Sequence, residues 1–74
     1  MKVKIIDIHP RDSFFKHPDK DRIIGSIGEA QFIKQSLVDK NYSTINFWLD
    51  EPAGIEYGDT AFFFIAVKIK ELNE

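Results

Sequence analysis

The 74-residue chain contains no cysteine. That excludes a disulfide framework and a thiolate metal cage, the usual supports of a domain too small to hide much surface. Also missing is any apolar run near the roughly 20 residues that cross a bilayer. The opening "MKVKIIDIHP" carries a short apolar run cut by Asp7, not the h-region of a secretory signal. The expectation is a soluble, cytoplasmic protein that does not engage membranes. There is no excess of basic charge either. The net charge is -2, which argues against a binder that holds nucleic acid by bulk charge. Residues 1–40 carry eight cationic against six acidic side chains, and residues 41–74 carry two against six, a mild asymmetry. Repeats, linkers and low-complexity tracts are absent, so residues 1–74 read as one domain.

What is present is aromatic. Seven Phe, one Trp and two Tyr must form the core of a domain that buries only about 60% of its unfolded surface. Period-two patterning dominates wherever the chain is apolar, which predicts strands. In "TAFFFIAVKIKEL", Ala61, Phe63, Ile65, Val67 and Ile69 share the expected core face. Phe62, Phe64, Ala66, Lys68 and Lys70 share the other. In "STINFWLD", Ile45, Phe47 and Leu49 point one way; Thr44, Asn46, Trp48 and Asp50 point the other. "KVKIIDIH" changes phase, since Val3 and Ile5 share one face and Ile6 and Ile8 the opposite one. A bulge near Ile5 or burial on both sides accounts for that.

"GSIGEAQFIKQSLVDKN" reads two ways. Ser26 and Glu29 have a capping-box spacing, and Ile33 and Leu37 stand one helical turn apart. Gly28 in the first turn weakens that helix, and alternation about Ala30 and Phe32 makes a strand the better reading. "DEPAGIEYGD", residues 50–59, is turn-like by its proline, glycines and acids. The sum is an all-β domain: a small, strongly bent antiparallel sheet, or partly open barrel, of four to five strands.

The first strand "VKIIDI", the long polar loop and then "IIGSIG" entering the next strand resemble the opening of small SH3-like barrels of the KOW type, over residues 3–33. Gly25 and Gly28 stand where that family places a glycine that turns the backbone tightly between strands. The loop here is longer than the family's, and Ser26 and Ile27 occupy the place of its basic residue. The resemblance implies contact with RNA or protein, without catalysis.

The stretch "HPRDSFFKHPDKDRIIGSIG" concentrates the chemistry. His9 and His17 lie near Asp7, Asp12, Asp19 and Asp21, yet their spacing matches neither a zinc motif nor a calcium loop. No metal and no cofactor are expected. Ser13, Ser26, Ser36 and Ser43 lack a nucleophile elbow. The pairs Asp50 with Glu51 and Glu56 with Asp59 sit in a solvated loop that gives no reason for acid-base work. The chain is therefore not expected to be an enzyme. Phe14 and Phe15 among Arg11, Lys16, Lys20 and Arg22 suit either anchoring of the loop or binding. Together with Trp48 they form the candidate contact surface for a protein partner or a second copy of the chain. RNA or single-stranded DNA, stacked on the aromatics with Lys16, Lys20 and Arg22 on phosphates, is the alternative.

Overall fold

The computed structural model describes residues 1–50 and 60–72; apart from Asp50, the turn expected over 50–59 lies outside the described residues. Four strands form: β1 (Lys2–Ile8), β2 (Ile27–Gln35), β3 (Ser43–Leu49) and β4 (Ala61–Glu71). Each pairs antiparallel with the next, and β4 returns to β1, closing the ring. The all-β expectation holds. The strand reading of the stretch 25–41 holds over Ile27–Gln35, residues 36–41 forming the β2–β3 connection instead, and the one-turn spacing of Ile33 and Leu37 never becomes a helix. The loop between β1 and β2 holds a 3-10 turn at Ser13–Lys16 and a single α-helical turn, α1 (Lys20–Ile23).

Four strands close only if they bend sharply, and three one-residue irregularities supply the bend. In β1 the pairing slips between Ile5 and Asp7, so Ile6 is the extra residue, as the phase change in the sequence indicates. In β2 Ile33 is the extra residue, between Phe32 and Lys34. In β4 Ile65 and Ala66 stand opposite the single residue Thr44.

This last bulge overturns part of the expected pattern. Phe64 and Ala66 are buried, whereas Phe63 and Ile65, expected in the core, are exposed. Val67 is buried again because the extra residue resets the alternation. The interior is built from Val3, Ile5, Ile8, Ile23, Ala30, Ile45, Phe47, Leu49, Phe64 and Val67. Burying each large member contributes about 1.5–3 kcal/mol.

The two glycines that shape the entry to β2 act for different reasons. Gly25 has φ +94°, a left-handed conformation that residues with a Cβ avoid. Gly28 is a matter of space. A Cβ there would overlap the Trp48 carbonyl oxygen and lie 2.7 Å from Phe47 Cζ. Among the described residues, no helix is long and apolar enough to cross a membrane.

Candidate interaction surface

The loop from residue 9 to residue 26 is held from within by one carboxylate. Asp12, 2% exposed, accepts the Phe14 N–H at 2.8 Å through Oδ1. Its Oδ2 accepts the N–H groups of Ile65 at 2.7 Å and Ala66 at 2.9 Å. A bulge leaves strand N–H groups without ladder partners, and a buried orphan of this kind is costly. Asp12 thus completes the β4 bulge while fixing the loop to it. On the other side of the bulge, Thr44 Oγ1 donates to the Ile65 carbonyl at 2.7 Å.

With Asp12 in place, Phe14 meets Phe64 and Phe62 edge-on at centroid distances of 5.3 and 5.4 Å and stacks on His17 at 4.3 Å. Phe15 also packs against the core, with Lys20 Nζ 4.3 Å from its ring centroid. Both phenylalanines are half-buried pins of the loop. Lys20 Nζ lies 3.4 Å from Asp21, and Arg22 lies 3.7 Å from Asp19, so local acids already attend two of the four loop cations. Arg11 and Lys16 are exposed.

The histidines share one local role. His9 Nδ1 accepts the Arg11 N–H at 3.1 Å, and His17 Nδ1 accepts the Asp19 N–H at 3.0 Å. Each imidazole therefore closes its own His-Pro-Xaa turn. Among the described residues, no group of three or more His, Cys, Asp or Glu is placed to hold a metal ion. Ser26 Oγ donates to the Ile23 carbonyl at 2.6 Å and Ser36 Oγ accepts the Val38 N–H at 3.1 Å, so these two hydroxyls serve turns.

Trp48 leaves the sheet on the face opposite these pins. It is flanked by buried Phe47 and Leu49, and it stands opposite Glu29 on β2 and Ala61 on β4. Phe14 instead packs against Phe62 and Phe64 from the inner side. Trp48 and the loop aromatics therefore belong to two surfaces rather than one.

The outer surface carries apolar groups beyond Trp48. Phe63 is 54% exposed and Ile65 37%. Together with Lys34, Ser36, Leu37, Val38 and Thr44 they line a groove of about 230 Å³. Phe63 is a diagonal neighbour of Trp48, because Trp48 pairs with Ala61 two residues earlier on β4; such pairs are within reach of aromatic side chains.

The β2–β3 loop frames the groove. Ser36 N–H donates to the Tyr42 carbonyl, Tyr42 N–H to the Asp39 carbonyl, and Gln35 Nε2 to the Lys40 carbonyl. Leu37 is held outward by this frame and is 87% exposed. Tyr42 ties the loop to β1 by donating to Asp7 Oδ2 at 2.9 Å. That bond first, then desolvation and the negative charges of Asp7 and Asp39, hold the phenol above its ordinary value of 10.0.

Leu37, Phe63, Ile65 and Lys34 were not among the sequence candidates. Phe63 and Ile65 sit in an unbroken apolar run, and nothing in the run marks where the bulge falls. Comparison with known proteins finds no family model, no curated protein and no solved structure that matches the chain.

Proposed function

We propose that this chain is a non-enzymatic interaction module of the cytoplasm, which binds protein through the outer face of β2–β4. The observation that carries the reading is the exposure of Leu37, Trp48, Phe63 and Ile65 on that face. Large apolar side chains grouped on a soluble domain mark contact sites, and aromatic anchors dominate such contacts. The 9–26 loop serves as the internal brace, and Arg11, Lys16, Lys20 and Arg22 are peripheral charges. The resemblance of residues 3–33 to small SH3-like barrels points the same way, toward contact without catalysis.

Selection of peptides from a displayed random library tests this reading. Peptides with apolar anchors should bind the protein and lose at least tenfold in affinity to Phe63→Asp. Failure to select any peptide, or equal binding to the variant, refutes it. Titration with single-stranded oligonucleotides at two salt concentrations addresses the other class. Affinity falling linearly on a log–log scale with salt would transfer the function to nucleic acid.

A further inference from the structure

We propose that the second half of β2 is a docking edge for an extended segment of another polypeptide, which adds to the sheet as a strand beside Phe32. The site is separate from the outer face of β2–β4 and does not depend on it. It lies where the ring is thinnest. β2 pairs with β3 from Gly28 opposite Leu49 to Gln35 opposite Ser43. With β1 it shares only the pairs Lys2 with Glu29, Val3 with Gly28 and Lys4 with Ile27. The Ala30 N–H then donates to the Met1 carbonyl at 2.7 Å, and among the described residues no main-chain bond follows on that edge.

Strand geometry identifies the groups left over. The Ile27 carbonyl accepts the Asp50 N–H, so Ile27, Glu29 and Gln31 turn their polar main-chain groups toward β3. Gly28, Ala30 and Phe32 turn theirs the other way, and at Phe32 that side is open. Past the bulge at Ile33, the Ser36 N–H donates to the Tyr42 carbonyl, which leaves Gln35 as the next residue facing outward. An unpaired edge is a template for a further extended main chain, whose donors and acceptors recur at the same interval. The backbone thus specifies the class of occupant.

The side chains agree. Every residue from Gln31 to Gln35 is exposed, although Gly28 and Ala30 on the same strand are buried. Phe32 stands opposite buried Ile45, so its ring is on the inner side. It is nonetheless 53% exposed, because β1 gives it no neighbour on the open edge. A residue of an added strand set opposite Phe32 projects to the same side, and an apolar side chain there extends the core over the ring. The partner is therefore an extended segment with an apolar residue opposite Phe32.

A bulge and a lysine are devices that keep an edge from pairing with long flat strands, and here Ile33 and Lys34 supply them. A second copy would bring its own β1 along the same edge as far as Ala30, whereas a free segment carries no such obstruction.

The test uses a blocked peptide of alternating threonine and valine, with a charged residue at each end for solubility, titrated into the isotope-labelled chain. In the free protein the Phe32 amide should exchange with solvent at least about tenfold faster than that of Ala30. The peptide should shift the amide signals of residues 31–35, slow the Phe32 amide and bind with a Kd tighter than about 1 mM. Valines that cover Phe32 also direct their N–H groups at β2, so N-methylating them should weaken binding at least tenfold. N-methylating the threonines, whose N–H groups point away, should leave it unchanged. Phe32→Asp should weaken binding at least tenfold, with the fold verified by circular dichroism.

Absence of binding at about 1 mM peptide overturns the proposal. So does a Phe32 amide already protected in the free monomer, binding indifferent to the valine N-methyl groups, or shifts confined to Trp48 and Phe63. Protection of the Phe32 amide that grows with protein concentration in the absence of peptide assigns the edge to a second copy and likewise overturns it. Peptides selected on the outer face and lost to Phe63→Asp are read independently, so either proposal can fall while the other stands.

Discussion

Asp12 joins the loop to the β4 bulge. Three backbone N–H groups from two distant parts of the chain converge on its carboxylate. Charge-assisted bonds are roughly twice as strong as neutral ones, and stranded N–H groups bring their own desolvation cost. Asp12→Ala should therefore lower stability by about 3 kcal/mol, read from the urea midpoint, and should expose the Phe14 pin to solvent. At Gly28 the difficulty is crowding by Phe47 and the Trp48 carbonyl. Gly28→Ala should cost about 1–3 kcal/mol in the same assay. The sequence shows that Phe14 and Phe15 suit a loop anchor, whereas Gly25 and Gly28 are singled out only by the resemblance to small SH3-like barrels. It does not show what Asp12 does, because two of its three partners lie more than fifty residues away and become available only where a bulge frees them.

At the scale of elements, legibility follows the contrast between the two faces of a strand. The slip in β1 is visible because isoleucines change face around it, and the irregularity indeed falls between Ile5 and Asp7. The slip in β4 is hidden because Phe62 to Ala66 are apolar on both faces, so either phase satisfies the pattern. That ambiguity conceals the outward Phe63 and Ile65, and with them the groove. The attachment of the β2–β3 loop to β1 through Tyr42 yields a pH prediction. The folded-state value of the phenol is raised above 10.0. The stability that it contributes is therefore whole below the unfolded value and is lost as pH rises through the folded one. Thermal melts should show stability falling above about pH 10, and Tyr42→Phe should flatten that alkaline decline. A decline of unchanged steepness in the variant would assign the effect elsewhere.

For the whole molecule, the margin is narrow. At roughly 0.05–0.15 kcal/mol per residue, a chain of this length has about 4–11 kcal/mol of stability. Phe47 packs among Phe62, Phe64 and Gly28. Phe47→Ala should remove about 3–5 kcal/mol, leaving a protein whose melting, followed by circular dichroism, occurs at least 15 °C lower or is already complete near room temperature. Alternation and an aromatic-rich composition suffice to indicate a bent antiparallel sheet. Closure of the ring is less legible, since it depends on pairing between segments at opposite ends of the described chain.

That pairing sets the order in which the molecule can be made. Val3 finds Glu71 and Ile8 finds Val67, so during translation β1 waits until residues 67–71 have been synthesised. Until β4 leaves the ribosomal tunnel the earlier strands form an incomplete meander with its greasy side uncovered, and the carboxylate at position 12 has nothing to grip. The decisive pairing of β1 with β4 thus comes last. Truncating the nascent polypeptide anywhere before the eleventh-hour strand should yield a species that chaperones retain rather than one that folds.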